Sequence, residues 1–197
     1  KYGWFPAGSV GWTISEEDFL SGNSILSYLK LRGSYGVTGN AEIGDFEYMG
    51  LWRAVNYVST PGLEISKVEN PDLRWERTAQ MDIGLDFQLW NGRIAGGFDY
   101  YYKWTSDLIL NRPINQTSGQ SSITANVGDM ENRGIELFIT SHNLPSSSEL
   151  KWVTDLTFGR NTNEVTNTDD NHLAGENYGN HVVAEGYPIG TWALVEC

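Results

Sequence analysis

Between residues 79 and 89 every odd position is apolar (Ala79, Met81, Ile83, Leu85, Phe87, Leu89), and every even position is polar or small (Gln80, Asp82, Gly84, Asp86, Gln88). A repeat of two is that of a strand whose faces meet different surroundings. Asn91-Gly92 then offers two residues that accept positive φ, the requirement of a two-residue type I′ turn. On the returning arm Ile94, Gly96, Phe98, Tyr100, Tyr102 and Trp104 share one face. Arg93, Ala95, Gly97, Asp99, Tyr101 and Lys103 share the other. The pattern predicts a hairpin over residues 75–104.

Its length restricts what can surround it. Strands of soluble proteins usually stop after about five or six residues, whereas this alternation is unbroken from 79 to 89. At about 3.4 Å per residue and a tilt near 45°, such an arm rises about 25 Å, the height of the apolar band of an outer-membrane barrel. Trp90 would then lie at one membrane interface and Tyr102 and Trp104 at the other, where amphipathic rings settle. Leu85 and Phe98 are expected to face lipid, and Asp82, Asp86, Asp99, Tyr101 and Lys103 the lumen. A long hairpin packed on a soluble core stays open at this point.

Composition excludes several classes. Aromatic residues make up 13% of the 197-residue chain and glycine occurs 22 times, a strand-and-turn composition. With a mean hydropathy of -0.38, no segment approaches the roughly 20 apolar residues of a spanning helix. A barrel escapes that test because only alternate residues meet lipid. A formal net charge of -12 argues against nucleic acid and against an anionic membrane surface, both of which need clustered Lys and Arg. The single cysteine, Cys197, is the last residue, so no internal disulfide can form. The chain opens with Lys1-Tyr2-Gly3-Trp4, with no Met and strand-like sequence at once. Both ends are expected to be cuts in a chain several hundred residues longer.

Weaker alternation predicts further strands at 4–14 (Trp4, Val10, Trp12, Ile14), 29–37 (Leu29, Leu31, Tyr35, Val37), 126–140 (Ile135, Leu137, Ile139) and 150–160 (Trp152, Leu156, Phe158). Ser15-Glu16-Glu17-Asp18 reads as a capping box opening a short helix through Leu20. Segment 38–73 reads as a long loop, extended only over 47–57. Segments 106–125 and 161–185 read as polar loops, and 186–190 as extended or turned. Connections therefore alternate between short and long, as in outer-membrane barrels with short periplasmic turns and long extracellular loops. The reading is all-β, an antiparallel up-and-down transmembrane β-barrel segment of about six long strands.

Several phrases, taken in order, carry a resemblance. They are Trp4-Phe5-Pro6-Ala7-Gly8-Ser9-Val10-Gly11-Trp12, Leu29-Lys30-Leu31-Arg32-Gly33-Ser34-Tyr35-Gly36, Gly39-Asn40, Asn70-Pro71-Asp72-Leu73-Arg74-Trp75-Glu76, Ile83-Gly84-Leu85-Asp86 and Asp99-Tyr100-Tyr101-Tyr102. Asn126-Val127-Gly128, Asn132-Arg133-Gly134-Ile135-Glu136-Leu137 and Gly186-Tyr187-Pro188-Ile189-Gly190 complete the set. The ordered set resembles the SusC/RagA family of TonB-linked (TonB-dependent) outer-membrane transporters over nearly the whole chain, thinning after Gly190. The resemblance implies a large plugged barrel of Bacteroidota outer membranes. Such a barrel imports oligosaccharides or peptides handed over by a SusD-like surface lipoprotein and is powered by TonB–ExbB–ExbD. Residues 1–197 would then be part of the receptor's β-barrel domain. The plug, the TonB box, the amino-terminal carboxypeptidase-like domain and the closing carboxyl-terminal strands would lie elsewhere, so the segment alone should not transport.

No catalytic or cofactor site is expected. His142, His172 and His181 lack metal-ligand spacing, and Glu16, Glu17 and Asp18 have no nucleophile or histidine beside them. Asp169-Asp170-Asn171 lacks the Gly and distal Glu of a calcium loop. The glycines of 33–39 lack the helix that a phosphate cradle needs. Ligand or partner contact is expected in the loops, at Trp52, Tyr57, Asn115, Gln116 and Tyr178, whose aromatic faces and amides suit sugars. The competing functions are a soluble carbohydrate-binding β-domain, which would bury Leu85, Phe87, Phe98 and Tyr100 in a closed core, and an all-β glycosidase, for which there are only scattered carboxylates.

Overall fold

The computed structural model describes residues 3–20, 22–40, 44–168, 173–174 and 181–192. Tyr178, His172, Cys197 and the Asp169-Asp170-Asn171 run lie outside the described residues. In chain order the strands are β1 (Ala7–Thr13), β2 (Leu26–Asn40), β3 (Leu51–Tyr57), β4 (Thr60–Lys67), β5 (Glu76–Leu89), β6 (Ile94–Ser106), β7 (Ile109–Pro113), β8 (Ser122–Asn126), β9 (Asp129–His142), β10 (Val153–Asn167), β11 (Leu173–Ala174), β12 (His181–Val183) and β13 (Thr191–Trp192). Six of them form one antiparallel sheet in the order β1-β2-β5-β6-β9-β10. The other strands form small sheets within the three long connections. The wall strands run to 13–15 residues except β1, which has seven.

The expected hairpin is present in the expected register, with Leu85 opposite Phe98 and Met81 opposite Tyr102. Asn91 (φ 56) and Gly92 (φ 83) form the positive-φ pair, and the Arg93 N–H donates to the Trp90 carbonyl at 3.3 Å. Trp90 also takes a positive φ of 51, so the ladder stops at Leu89 and Ile94. The Trp90 N–H donates instead to the Ile25 carbonyl (2.7 Å), and the Arg93 carbonyl accepts from the His142 N–H (2.9 Å). The turn is thereby stitched to both neighbouring hairpins.

Several boundaries differ from the sequence reading: β2 spans Leu26–Asn40 rather than 29–37, and β10 spans Val153–Asn167 rather than 150–160. The helix expected from Ser15 to Leu20 is a single 3-10 turn, Ile14–Glu16, that starts from Thr13. Ser15 is consequently inside the turn with its hydroxyl buried and unpaired, and Glu17 accepts from the Trp12 indole at 2.8 Å. Asn126 does not open a wall strand. It closes β8, and Gly128 (φ 141) turns the chain into β9. Both 38–73 and 106–125, read as loops, carry two-stranded ribbons.

Because neighbouring strands are in register, one row of large apolar residues crosses the whole sheet: Trp12, Leu31, Leu85, Phe98, Leu137, Phe158. None is buried, and Phe98, on a central strand, is 41% exposed. Among the described residues no closed core covers this face. Buried apolar groups sit instead at the long-loop end of the sheet, at Val37, Leu73, Ala79, Leu108, Ala125, Val127 and Val165.

Hydrogen bonds from asparagine side chains hold that end together. Asn126 Oδ1 accepts from the Arg74 N–H (2.8 Å), and its Nδ2 donates to the carbonyls of Arg74 (2.9 Å) and Asp107 (2.8 Å). Asn70 Nδ2 donates to the Thr124 carbonyl (2.9 Å), and Glu76 accepts from the Ile109 N–H and from Asn40. Across β10, the N–H of fully buried Val165 donates to the Tyr187 carbonyl and its carbonyl accepts from Gly186. Asn126→Ala in the full-length protein leaves three backbone groups without partners, at a cost of about 1–3 kcal/mol. Hydrogen exchange should speed up over 107–128 while β5 and β6 stay protected; uniform protection throughout would refute the assigned role.

Candidate functional site on the polar face and the outer loops

The polar face of the sheet is built by the residues that alternate with the apolar row. On β2, β5 and β6 these include Lys30, Arg32, Ser34, Gln80, Asp82, Asp86, Asp99, Tyr101 and Lys103. Its centre is a triad spanning three strands. Arg32 Nε donates to Asp86 Oδ2 at 3.1 Å, and Arg32 Nη2 lies 2.7 Å from Asp99 Oδ1 and 2.9 Å from Oδ2.

The direct cross-strand partner of Asp86 is Lys30, and Arg32 is paired with Gly84, which is paired with Asp99. Arg32 must therefore cross β5 to reach Asp99, and it does so over Gly84. A Cβ on Gly84 would lie 2.5 Å from the guanidinium carbon and 2.5 Å from Asp99 Oδ1. The same device recurs two strands on. Tyr101 crosses β9 over Gly134, whose Cβ would meet the phenol oxygen at 2.6 Å, and its hydroxyl donates to Asn161 Oδ1 at 3.0 Å. These contacts lock four strands from the side-chain side as the ladder locks them from the backbone.

The five residues expected on the lumenal face all lie on this face, but not as one cluster. Asp86 and Asp99 share Arg32; Asp82 accepts from Ser34 Oγ (3.1 Å) and Gln80 Nε2 (2.8 Å). Tyr101 pairs with Asn161, and Lys103 stands between Gln80 and Asn132 with no ion-pair partner among the described residues. The sequence reading missed Arg32, Gln80 and Asn161 as partners, and Phe138, which lies over Gly97 and is 45% exposed on the polar face. Glycines placed opposite long polar side chains were the one available signal.

The loop residues are scattered. Trp52 is on β3, 65% exposed, in register with Ile65. Tyr57 ends β3. Asn115 uses its side-chain oxygen locally, accepting from the Thr117 N–H (3.1 Å) ahead of the 3-10 turn Gln116–Ser118. Gln116 is exposed within it. Among the described residues no group of three or more His, Cys, Asp or Glu is placed to hold a metal ion, and no helix is long and apolar enough to cross a membrane.

A family described as TonB dependent receptor-like, beta-barrel, matches residues 1–195. The chain belongs to the TonB-dependent receptor β-barrel family. It is 40% identical over 190 residues to TonB-dependent receptor P39 of Formosa agariphila, an alignment covering 96% of this chain and 18% of the relative. It is 36% identical over 176 residues to TonB-dependent receptor SusC of Bacteroides thetaiotaomicron, covering 84% and 17%. Among solved structures it superposes on that of the RagAB peptide transporter with a TM-score of 0.84 at 31% identity, covering 95% of this chain and 21% of that one. The chain thus spans about a fifth of the length of the relatives it matches. The open six-stranded sheet is a segment of the TonB-dependent barrel fold, and the SusC/RagA resemblance read from the ordered motifs holds.

Arg32 is 39% exposed at its side chain, and Asp86 and Asp99 are 30% and 26%, so water screens the triad and each pair contributes up to about 1 kcal/mol. A double-mutant cycle with Arg32→Ala and Asp99→Ala in the full-length receptor should give a coupling of about 1 kcal/mol. The same cycle in a Gly84→Val background should give none. Undiminished coupling there would show that the guanidinium does not cross over Gly84.

Proposed function

We propose that this chain is part of the wall of an outer-membrane transporter that imports oligosaccharides or peptides, together with a SusD-like surface lipoprotein. Energy comes from TonB–ExbB–ExbD, reached through an amino-terminal part outside this segment. The observation that carries the reading is the pair of unlike faces: an uncovered apolar row across six strands, backed by a face of ion-paired and amide side chains. An aqueous protein would cover the first; a lipid-embedded wall leaves it bare and encloses the second. Family membership supports the same reading, since SusC is a TonB-dependent receptor and RagAB is a peptide transporter.

In this reading residues 1–197 are a portion of the barrel domain, with the short connections, including 90–93, at the periplasmic end and the three long ones outside the cell. Trp52, Tyr57, Asn115, Gln116 and Tyr178 serve cargo or lipoprotein from those loops. Asp82, Asp86, Asp99 and Tyr101 hold the wall in shape, and Lys103, which has no ion-pair partner among the described residues, is a lumenal group available to a plug or to cargo.

Fractionation of the full-length protein tests the proposal: it should be recovered in detergent-extracted outer membrane, and recovery in the soluble periplasm would overturn it. Depth gives a sharper measure. Leu85→Arg should cost about 2–4 kcal/mol in the intact barrel, and Leu89→Arg close to zero. Equal costs at the two depths would count against a lipid-facing row.

A further inference from the structure

Above the apolar row the outer face changes character along a slanted line. Arg77 on β5 is paired with Ser106, and Trp104, two residues from Ser106, is the next same-face position down on β6. Trp104 is paired with Glu131, and Arg133 is the next position down on β9; Arg133 is paired with Thr162, and Arg160 is the next down on β10. Arg77, Trp104, Arg133 and Arg160 thus form one line that drops by two residues per strand. The line below it reads Ala79, Tyr102, Ile135, Phe158, without a charge. Strands tilted by about 45° shift the membrane plane by between one and two residues per strand, and same-face positions come only in twos. The arginine line therefore follows the edge of the membrane, not a row of the sheet.

All three arginines are exposed, and none has an ion-pair partner among the described residues, whereas Arg32 and Arg53 are both paired. The acids Glu131 and Glu164 start from positions two residues or more above the line on its aqueous side, and the Glu131 carboxylate is engaged by a hydrogen bond from the Tyr102 hydroxyl. Each step along the line is a diagonal cross-strand neighbour, about 7–8 Å, so Arg133 and Arg160 can close on a single phosphate group through their forked donors. Trp104, which packs against Tyr35 and Tyr102 at centroid distances of 6.0 and 5.4 Å, separates them from Arg77 and gives the interface an amphipathic ring.

We propose that Arg77, Arg133 and Arg160 form a binding site for the phosphate headgroup of a lipid in the leaflet at the long-loop end of the wall. Arg133 and Arg160 share one phosphate and Arg77 meets a second. The proposal rests on the membrane reading above. It is tested with the full-length transporter in phosphatidylcholine nanodiscs doped with lipid A or with dephosphorylated lipid A, the retained lipid being counted by native mass spectrometry. Wild type should retain the phosphorylated form preferentially, each arginine being worth about fivefold. The R77Q/R133Q/R160Q variant should lose the preference, and R133K/R160K should keep part of it, the loss being read only in variants that still insert. Insertion of wild type with equal retention of the two lipids overturns this proposal alone, and wild type recovered outside the nanodiscs overturns the membrane reading as well. If inorganic phosphate raises the melting midpoint of the detergent-solubilised protein as lipid A does, the site takes free anions and the lipid assignment is wrong.

Discussion

A single ladder of backbone hydrogen bonds through six strands, shifted in register only near Leu26 and near Val165, is the interaction on which every other feature of this structure depends. Register in a sheet is a parity: a slip by one residue would send Leu85 and Phe98 to the polar side and Asp86 and Asp99 to the apolar side. Because the ladder keeps parity from β1 to β10, alternation that is only local in each strand becomes two continuous surfaces. The wall is one layer thick, so its stability cannot come from a second sheet packed on the first. It comes from backbone pairing, from what each face meets, and from the packed end where the loops return.

Side chains reinforce the ladder by crossing strands. An ordinary cross-strand pair joins two strands, but Arg32 joins three, because Gly84 removes the side chain that would stand between it and Asp99. Tyr101 does the same over Gly134. A glycine inside a strand weakens that strand, and here the loss is offset by a contact that fixes the strand's neighbours to one another. Asp82, Asp86 and Asp99 on this face are therefore held by donors and set the shape of the wall.

At the long-loop end two of the phrases that carried the family resemblance meet each other, and a third meets a wall strand. Asn126, of Asn126-Val127-Gly128, grips the backbone of Arg74, of the Asn70–Glu76 phrase, and the Gly186–Gly190 phrase lies along β10 at Val165. The phrases are 50 residues or so apart in the chain, which is why their meaning was not available from their spacing. In the sequence they are polar, glycine-rich loop; in the structure they bury Leu73 and Val127.

The hairpin 75–104, the positive-φ Asn91-Gly92 pair at its turn, the face of each of its residues, the strand class and the alternation of short and long connections were all determined by the sequence itself; the end of the ladder at Leu89 and Ile94, which makes the connection four residues rather than two, was not. Each of these is local: side-chain alternation sets strand faces, and Asn-Gly sets a turn, without reference to distant residues. Strand ends were misjudged where apolar alternation gives way to polar residues that still pair, as on β10 beyond Arg160. Ser15 was misjudged because capping depends on where the turn starts. Only the tertiary structure decided that Arg32, rather than Lys30, takes Asp86 and Asp99, that Asn126 closes a loop ribbon, and that three distant arginines fall on one slanted line. All of these depend on pairing β2 with β5 and β6 with β9 across long insertions. The register of strands separated by such loops is a non-local quantity, set by the whole sheet's fit rather than by any stretch of chain.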